Sequence, residues 1–432
     1  MNIAIIGCGI SGLSAAYYLR ENHDLTLYES AARIGGHTAT VDVDWQGRRY
    51  AIDTGFIVYN DWTYPNFIEL MQTLGVETKP TEMSFSVRCD HNGLEYGGNN
   101  LSTLFAQRRN LLRPSFHKML QDILRFNREA VRDLDSGRLS ASTTLGEYLS
   151  ENLYGEAFIH HYLLPMGSAI WSASIDGMTD FPLLFFIRFF KNHGLLSVNN
   201  RPQWHVIKGG SRSYLEPLTR GFNHAIHCNT RIASVCRRPG FIELVMSDGH
   251  RVKYDQVIFA CHSDQALALL EDATQAEREA LGAIPYQSNE VVLHNDDSLL
   301  PRSRRAWSSW NYWLRKADQS RAVLNYNMNI LQGLDAETTF CVTLNATESI
   351  APDKIIDSFE YSHPVFSLEA IAAAKKIEGF NGVNRSWFAG AYLGNGFHED
   401  GVVSARKVAN AINQIDLGAT NRRQPSSEAA HA

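Results

Sequence analysis

The chain has 432 residues, enough for two or three folding units at ~100–200 residues each. Hydrophobic residues make up 44% and charged residues 20%, with 31 Gly and 13 Pro, which excludes a disordered or collagen-like chain. Lys and Arg number 40 against 46 Asp and Glu, a net charge of −6, so no global positive field recruits nucleic acid or an anionic membrane, and any membrane contact is local.

From the N-terminus, Ile3 to Ile6 reads as a short buried strand, Leu13 to Arg20 as a helix and Asp24 to Tyr28 as a second strand, together a βαβ unit. The opening apolar run is too short and too uncharged for a signal peptide, and the expectation is a cytoplasmic protein. Phe67, Leu70, Met71 and Leu74 recur at helical spacing before Gly75, and Leu111 to Leu134 is a second helical stretch. Between them Ser84 to Cys89 and Leu94 to Tyr96 form a predicted hairpin around Asn92-Gly93. The apolar run Phe181 to Phe190 contains Arg188 and falls well short of the ~20 residues a spanning helix needs. Residues 224–262 return to strand patterning, so a domain crossing is placed near Trp204-His205. A last strand at Phe388-Ala389-Gly390 and a last helix from Gly401 precede a polar tail, 417–432, expected to be disordered. The six Cys are scattered, with no Cys-x-x-Cys pair, and read as reduced thiols. No His/Cys grouping has metal-ligand spacing, so no metal is expected.

Gly7-Cys8-Gly9-Ile10-Ser11-Gly12 is a GxGxxG turn lying directly after a strand and opening a helix. Gly7 permits the turn, Gly9 admits a pyrophosphate to the helix N-terminus, and Gly12 lets helix and strand pack closely. Glu29, 17 residues beyond Gly12, ends the second strand where a carboxylate accepts the ribose hydroxyls of an adenosine. The fingerprint alone leaves NAD or FAD open. The extension Arg33-Ile34-Gly35-Gly36-His37-Thr38 adds a cation and a second bare turn, which argues for FAD.

With these residues the sequence resembles the flavin-containing amine oxidase superfamily, which includes monoamine oxidases, carotenoid desaturases and protoporphyrinogen oxidases. The matching segments are the fingerprint, Glu29 with Arg33, Gly35 and Gly36, Asp53-Thr54-Gly55-Phe56, Lys208-Gly209-Gly210-Ser211, Phe388-Ala389-Gly390, and Gly401-Val402-Val403-Ser404-Ala405. The resemblance implies an α/β fold. It has a discontinuous Rossmann-like, glutathione-reductase-like FAD domain (1–60, 204–270 and 381–416) and an α+β substrate domain (61–203 and 271–380). It also implies that Arg33 and Gly36 line the pyrophosphate, that Thr54, Gly55 and Phe56 pass the isoalloxazine, and that Val235 touches adenine by main chain. The closing helix, at Gly401 and Val402, would point its N-terminus at the flavin. Ser11, His37 and Gly390 complete the expected cofactor set. His37 stands where an Arg is common in the family, no Cys is placed for covalent flavin attachment, and the lysine of amine oxidases has no match.

A narrower resemblance is to bacterial NAD/FAD-binding oxidoreductases associated with cyclopropane-fatty-acyl-phospholipid synthase. It is carried by His160-His161 with Pro165-Met166, Asn192-His193-Gly194, Ala306 to Tyr312, Tyr326 to Asn329 and Tyr361-Ser-His-Pro364. It implies a fatty-acyl or phospholipid substrate, a synthase-like partner and peripheral contact at the inner membrane face.

Flavin chemistry needs few catalytic side chains. His398, or Phe397 if the gap falls differently, takes the position of the aromatic that faces the flavin in amine oxidases, and His398 is the candidate proton acceptor, with a pKa near neutrality. Glu399 and Asp400 read as first-turn acids favoured by the helix dipole. Trp307, Trp310, Tyr312 and Trp313, with the Phe181 to Phe190 run, form either an acyl tunnel or core packing. Arg108, Arg109 and Arg113 are candidates for a membrane rim. The expected function is FAD-dependent oxidation or dehydrogenation of an apolar substrate, an unsaturated or methylated fatty acyl chain. The alternatives are oxidation of a small amine and a non-catalytic FAD-bound partner of a lipid methyltransferase.

Overall fold

Strand Asn2–Ile6 alternates its side chains between two faces, and the rest of the cofactor unit is layered accordingly. Ile3 and Ile5 point to a layer made by helix Ile10–Leu19 and the closing helix His398–Arg423, where Leu13, Ala16, Val402, Ala405 and Val408 are buried. Ala4 and Ile6 point the other way, to Val235, Ile242, Leu244 and helix Leu368–Phe380. The structure is a computed structural model and describes residues 1–316 and 323–423.

The strand is central in a five-stranded, all-parallel sheet of order Ile226–His227, Asp24–Tyr28, Asn2–Ile6, Gln256–Phe259, Ser386–Phe388. Three distant stretches of chain therefore build one sheet. A three-stranded antiparallel sheet, Ile232–Arg238, Phe241–Met246 and Arg251–Tyr254, covers part of its second face. Helices Gln275–Gly282 and Leu368–Phe380, expected in the substrate domain, also lie on this layer. Their small and aliphatic residues, Ala280, Leu281, Ala370, Ala373 and Ile377, are buried with Phe259 and Phe388. The closing helix runs to Arg423, beyond the expected boundary at 416. The remainder of the expected tail, 424–432, lies outside the described residues.

The second unit is a seven-stranded mixed sheet of order Ile355–Pro364, Tyr286–His294, Cys341–Leu344, Leu324–Asn327, Trp310–Leu314, Phe85–Cys89, Leu94–Gly97. Its last two strands are the predicted hairpin, turned by Gly93 at φ +64°. Helices Pro114–Asp135, Leu164–Trp171 and Leu183–Asn192 bury Phe116, Phe126, Trp171, Phe186 and Phe190 against this sheet in one aromatic-rich core. Between the units, Trp204–Ile207 pairs with both Tyr59–Asn60 and Thr78–Thr81.

Candidate functional site

The fingerprint turn is shaped by close approach. Gly7 holds φ +104°, and a Cβ on it would sit 2.7 Å from the Ala260 carbonyl oxygen. A Cβ on Gly12 would lie 1.9 Å from the Gly7 carbonyl oxygen, so nothing larger than hydrogen fits there. Gly9 differs: the space its Cβ would take is open for 4 Å. It caps helix Ile10–Leu19 with no side-chain acceptor, and no acid occupies the first turn, so the first-turn N–H groups face that space without a protein anion.

The Gly35-Gly36 turn lies against the first turn. The Gly35 N–H donates to the Cys8 carbonyl at 2.7 Å, Gly9 and Gly35 form a parallel bridge, and a Cβ on Gly36 would come within 3.2 Å of Gly9 Cα. Arg33 Nη1 donates to the Thr38 carbonyl at 3.1 Å, fixing an exposed guanidinium beside the turn. Glu29 ends its strand with its carboxylate accepting from the Cys8 N–H and the Ala31 N–H, both at 2.9 Å. Burial, and then the Glu29 charge, push the Cys8 thiol upward, so it stays protonated.

Val235 is not in this group. Its side chain is buried with Ile242, Leu244 and Tyr254, and its carbonyl accepts from the Glu271 N–H at 3.2 Å. The residues that reach Glu29 are those before the strand. Thr230 N–H donates to the Glu29 carbonyl and Asn229 N–H to that of Ala31, each at 2.9 Å, with Asn229 at φ +52° turning the chain. Val235 thus packs into the core of the antiparallel sheet, while Asn229 and Thr230 are the residues that lie beside Glu29.

Asp53 anchors the third segment. Its carboxylate accepts from Thr40 Oγ1 (2.6 Å), Ser211 N (2.8 Å), Ser211 Oγ (2.9 Å) and Gln332 Nε2 (3.0 Å), tying both units together, while burial pushes it up to about 7. Thr54, Gly55 and Phe56 follow. A Cβ on Gly55 would lie 2.2 Å from the His37 carbonyl oxygen, and that oxygen accepts from the Phe56 N–H at 2.7 Å. Thr54 Oγ1 and Tyr361 Oη are 3.1 Å apart.

His37 packs between Tyr361 and His363, each at a 5.2 Å centroid separation. Burial first, then the neighbouring His363, His262, His398 and Arg33, take it well below an ordinary imidazole pKa. Its Nε2 is buried with no partner in the protein. His363 Nδ1 lies 3.2 Å from Asn289 Nδ2. That amide is oriented by donating to the Gln287 carbonyl (3.1 Å) and accepting from Asn345 Nδ2 (2.9 Å), so Nδ1 of His363 is an acceptor and the ring proton sits on Nε2. Tyr361 and His363 carry no catalytic signature in the sequence; their two-residue spacing on one strand places them on one face. Asn289 occupies the facing strand, and neither strand carries a lysine.

His398, the first residue of the closing helix, stacks on Phe56 with centroids 3.6 Å apart, and its Nε2 lies 3.0 Å from Thr38 Oγ1. Tyr214 Oη bonds the same hydroxyl. Burial takes His398 down to about 3, not near neutrality, so at neutral pH it is a poor proton acceptor. Phe397 turns away from it to stack on Phe189 at 5.3 Å. Glu399 and Asp400 do more than favour their own helix dipole. Glu399 accepts from the Asn66 (3.1 Å) and Phe67 (2.8 Å) N–H groups, capping helix Pro65–Thr73, and Asp400 accepts from the Phe397 N–H at 2.9 Å. Gly401 fits over Ile10 and Ser11, whose atoms lie 2.7 and 2.9 Å from where its Cβ would be. Val402 is buried in the core, and Gly390 donates its N–H to Ser404 Oγ at 3.0 Å.

The aromatic candidates divide along strand Trp310–Leu314. Trp310 and Tyr312 join the core of the Phe181 to Phe190 helix, whereas Trp313 stacks under Arg88 at 4.7 Å and Trp307 under Arg304 at 5.3 Å.

Residues 10–304 match the flavin containing amine oxidoreductases. The chain belongs to the flavin-containing amine oxidoreductase family. Among solved structures, this family member is similar to cyclohexylamine oxidase from Brevibacterium oxydans IH-35A, with 15% identity and a TM-score of 0.69 over 96% of this chain and 99% of that one. Wild-type putrescine oxidase bound to putrescine is similar at 13% identity and TM-score 0.66, over 96% and 99%. The CLA-producing fatty acid isomerase from P. acnes is similar at 16% and 0.66, over 95% and 98%. No curated protein matches the chain by sequence.

The residues present fit the family's FAD. Gly9 leaves an open cradle at an uncapped helix start, Glu29 is held for a ribose, and His37 has an orphaned buried nitrogen. Gly7, Gly9, Ser11, Gly12, Glu29, Arg33, Gly35 and Gly36 would hold the adenosine diphosphate end. His37, Thr54, Gly55, Phe56 and the helix start at His398 to Val402 would hold the ring end. Bound there, a flavin supplies two-electron redox chemistry, and the chain is an FAD-dependent oxidoreductase.

Proposed function

We propose that this oxidoreductase acts on an apolar chain, an unsaturated or methylated fatty acyl group of a lipid. The observation that carries the reading is the stack of Phe397 on Phe189. It joins the loop that enters the closing helix to an aromatic wall: Phe189 packs on Trp171 at 4.8 Å, Trp171 on Phe181 at 4.5 Å, and Phe185 stacks on Phe366 at 5.1 Å. An aromatic-rich region of this kind suits acyl methylenes, which gain by burial, better than a cation. The imidazoles near it point the same way: burial takes His193 and His363 down to about 4, so both are neutral at pH 7. The similarity in fold to a CLA-producing fatty acid isomerase supports the reading.

In this reading the wall positions a C–H bond at the ring end. His363, oriented by Asn289, presents its Nε2–H on the polar side. Phe56 and Phe67, packed around His398, exclude water. The test is anaerobic mixing of the flavin-loaded protein with free fatty acids, phospholipid extracts and a panel of amines while following the flavin absorption band. Bleaching by a lipid fraction, with the recovered acyl chain two hydrogens poorer by one new double bond, supports it. Bleaching by amines alone, with peroxide released in air, overturns it in favour of amine oxidation.

A further inference from the structure

Between Gly97 and Leu120 the sequence contains no Asp or Glu but includes Arg108, Arg109, Arg113 and Lys118, in a chain whose net charge is −6. The short 3-10 turn Arg108–Leu112 presents Leu111 at 49% and Leu112 at 88% exposure, and Leu101, at 76%, begins the helical turn just before it. Solvent-facing turns are normally polar, and adjacent bare leucines have no packing to explain them here.

A second basic segment sits beside this one. Arg302, Arg304 and Arg305 are exposed, and the turn Arg304–Ala306 packs on helix Leu101–Leu104. Glu95 fixes the two together. Its buried carboxylate accepts from the Arg302 and Ser303 N–H groups (3.1 and 2.9 Å), while its carbonyl accepts from the buried Asn110 amide at 3.3 Å, which pins the Arg108–Leu112 turn. The acids at the edge are already engaged: Asp297 lies 4.0 Å from Arg304, Asp122 pairs with Lys118 at 2.7 Å, and Glu156 with His160 at 3.0 Å.

We propose that Leu111 and Leu112, with the exposed Arg108, Arg109, Arg302 and Arg305 of the two adjoining segments, dock this protein on the surface of an anionic phospholipid bilayer. The leucines enter the acyl boundary and the guanidinium groups meet headgroup phosphates. Charge complementarity selects the partner: a polyanion in water would use the arginines and leave the leucines idle, whereas a bilayer interface engages both. Among the described residues no helix is long and apolar enough to cross a membrane, so the contact is peripheral. The proposal is independent of the acyl-chain reading and stands for an amine substrate as well.

The experiment is flotation of the flavin-loaded protein with vesicles of phosphatidylcholine alone or with phosphatidylglycerol added. The expected result is partitioning onto the anionic vesicles only, weakened by salt and lowered at least about tenfold by Arg108→Glu/Arg109→Glu and again by Leu111→Ser/Leu112→Ser. Val383→Ser, at an exposed apolar residue beside the cofactor sheet, should bind as wild type. Unchanged flavin content and melting temperature show that the variants fold. Absence of binding to anionic vesicles, or serine variants that bind as wild type, overturns the proposal; the second outcome leaves a purely electrostatic contact in which the leucines have no part.

Discussion

The imidazole of His398 lies flat on the ring of Phe56, with planes 14° apart. Phe67 meets it edge-on at 5.9 Å. A protonated ring there would lose its hydration with one hydroxyl in return, and burial accordingly takes His398 down to about 3. His193, His294 and His363, each at about 4, and His37 are depressed for the same first reason. Each is neutral when folded and takes up a proton near 6.5 when unfolded. The stability they contribute is complete above pH 6.5 and is lost as pH falls towards 4 and 3. Asp400, raised to about 6, and Asp53, raised to about 7, act in the opposite sense, but five imidazoles outweigh two carboxyls between pH 4 and 6. The denaturation midpoint should therefore fall on acidification from pH 7 to 5. His398→Phe should flatten that slope by up to one proton, about 1.4 kcal/mol per pH unit. An unchanged slope would show that His398 titrates normally.

Gly9→Ala and Gly12→Ala should separate binding from folding. The Cβ of the first enters open space, so the apoprotein should melt as wild type while its affinity for FAD, read by flavin fluorescence, drops at least about tenfold. The Cβ of the second meets the Gly7 carbonyl, so the apoprotein itself should be destabilised by several kcal/mol or fail to accumulate.

Glu29→Ala removes the acceptor of two backbone N–H groups as well as the ribose ligand. Charged hydrogen bonds are worth roughly 1.5–3 kcal/mol, so the FAD dissociation constant should rise about tenfold to a hundredfold. Titration of apoprotein with FAD measures it.

Glu399→Ala leaves the N-terminus of helix Pro65–Thr73 without its acceptor. A lost cap costs about 1–2 kcal/mol, visible as a lower melting temperature of apoprotein and holoprotein alike. Glu399→Gln, which keeps an acceptor oxygen, should recover part of it. Equal melting of all three would show that water replaces the carboxylate.

The cofactor end of the site was legible because its constraints are local. The glycines, the helix that follows and Glu29 act within one βαβ unit, and their spacing alone dictates the turn. The ring end was not, because it is assembled across the chain: Thr38, Tyr214 and His398 share one hydroxyl, and His37, Asn289, Tyr361 and His363 meet only when the two units close. His398 was visible as a residue but not as an environment, since a pKa follows from burial that no sequence position declares. Val235, named through the family resemblance as a main-chain contact, lies in a strand whose neighbours are set by pairing and core packing that no single segment of sequence declares.

The parallel sheet takes strands from the beginning, middle and end of the chain, and the closing helix seals against Ile10 and Ser11. During synthesis Ser386–Phe388 and the helix after it leave the ribosome long after the glycine turn. A nascent chain stalled before residue 386 would expose the unpaired edge of Gln256–Phe259 and the apolar underside of the first helix, and would retain no flavin. Truncation products should therefore be colourless and sticky, and flavin loading should be a late, nearly all-or-none event in the making of this enzyme.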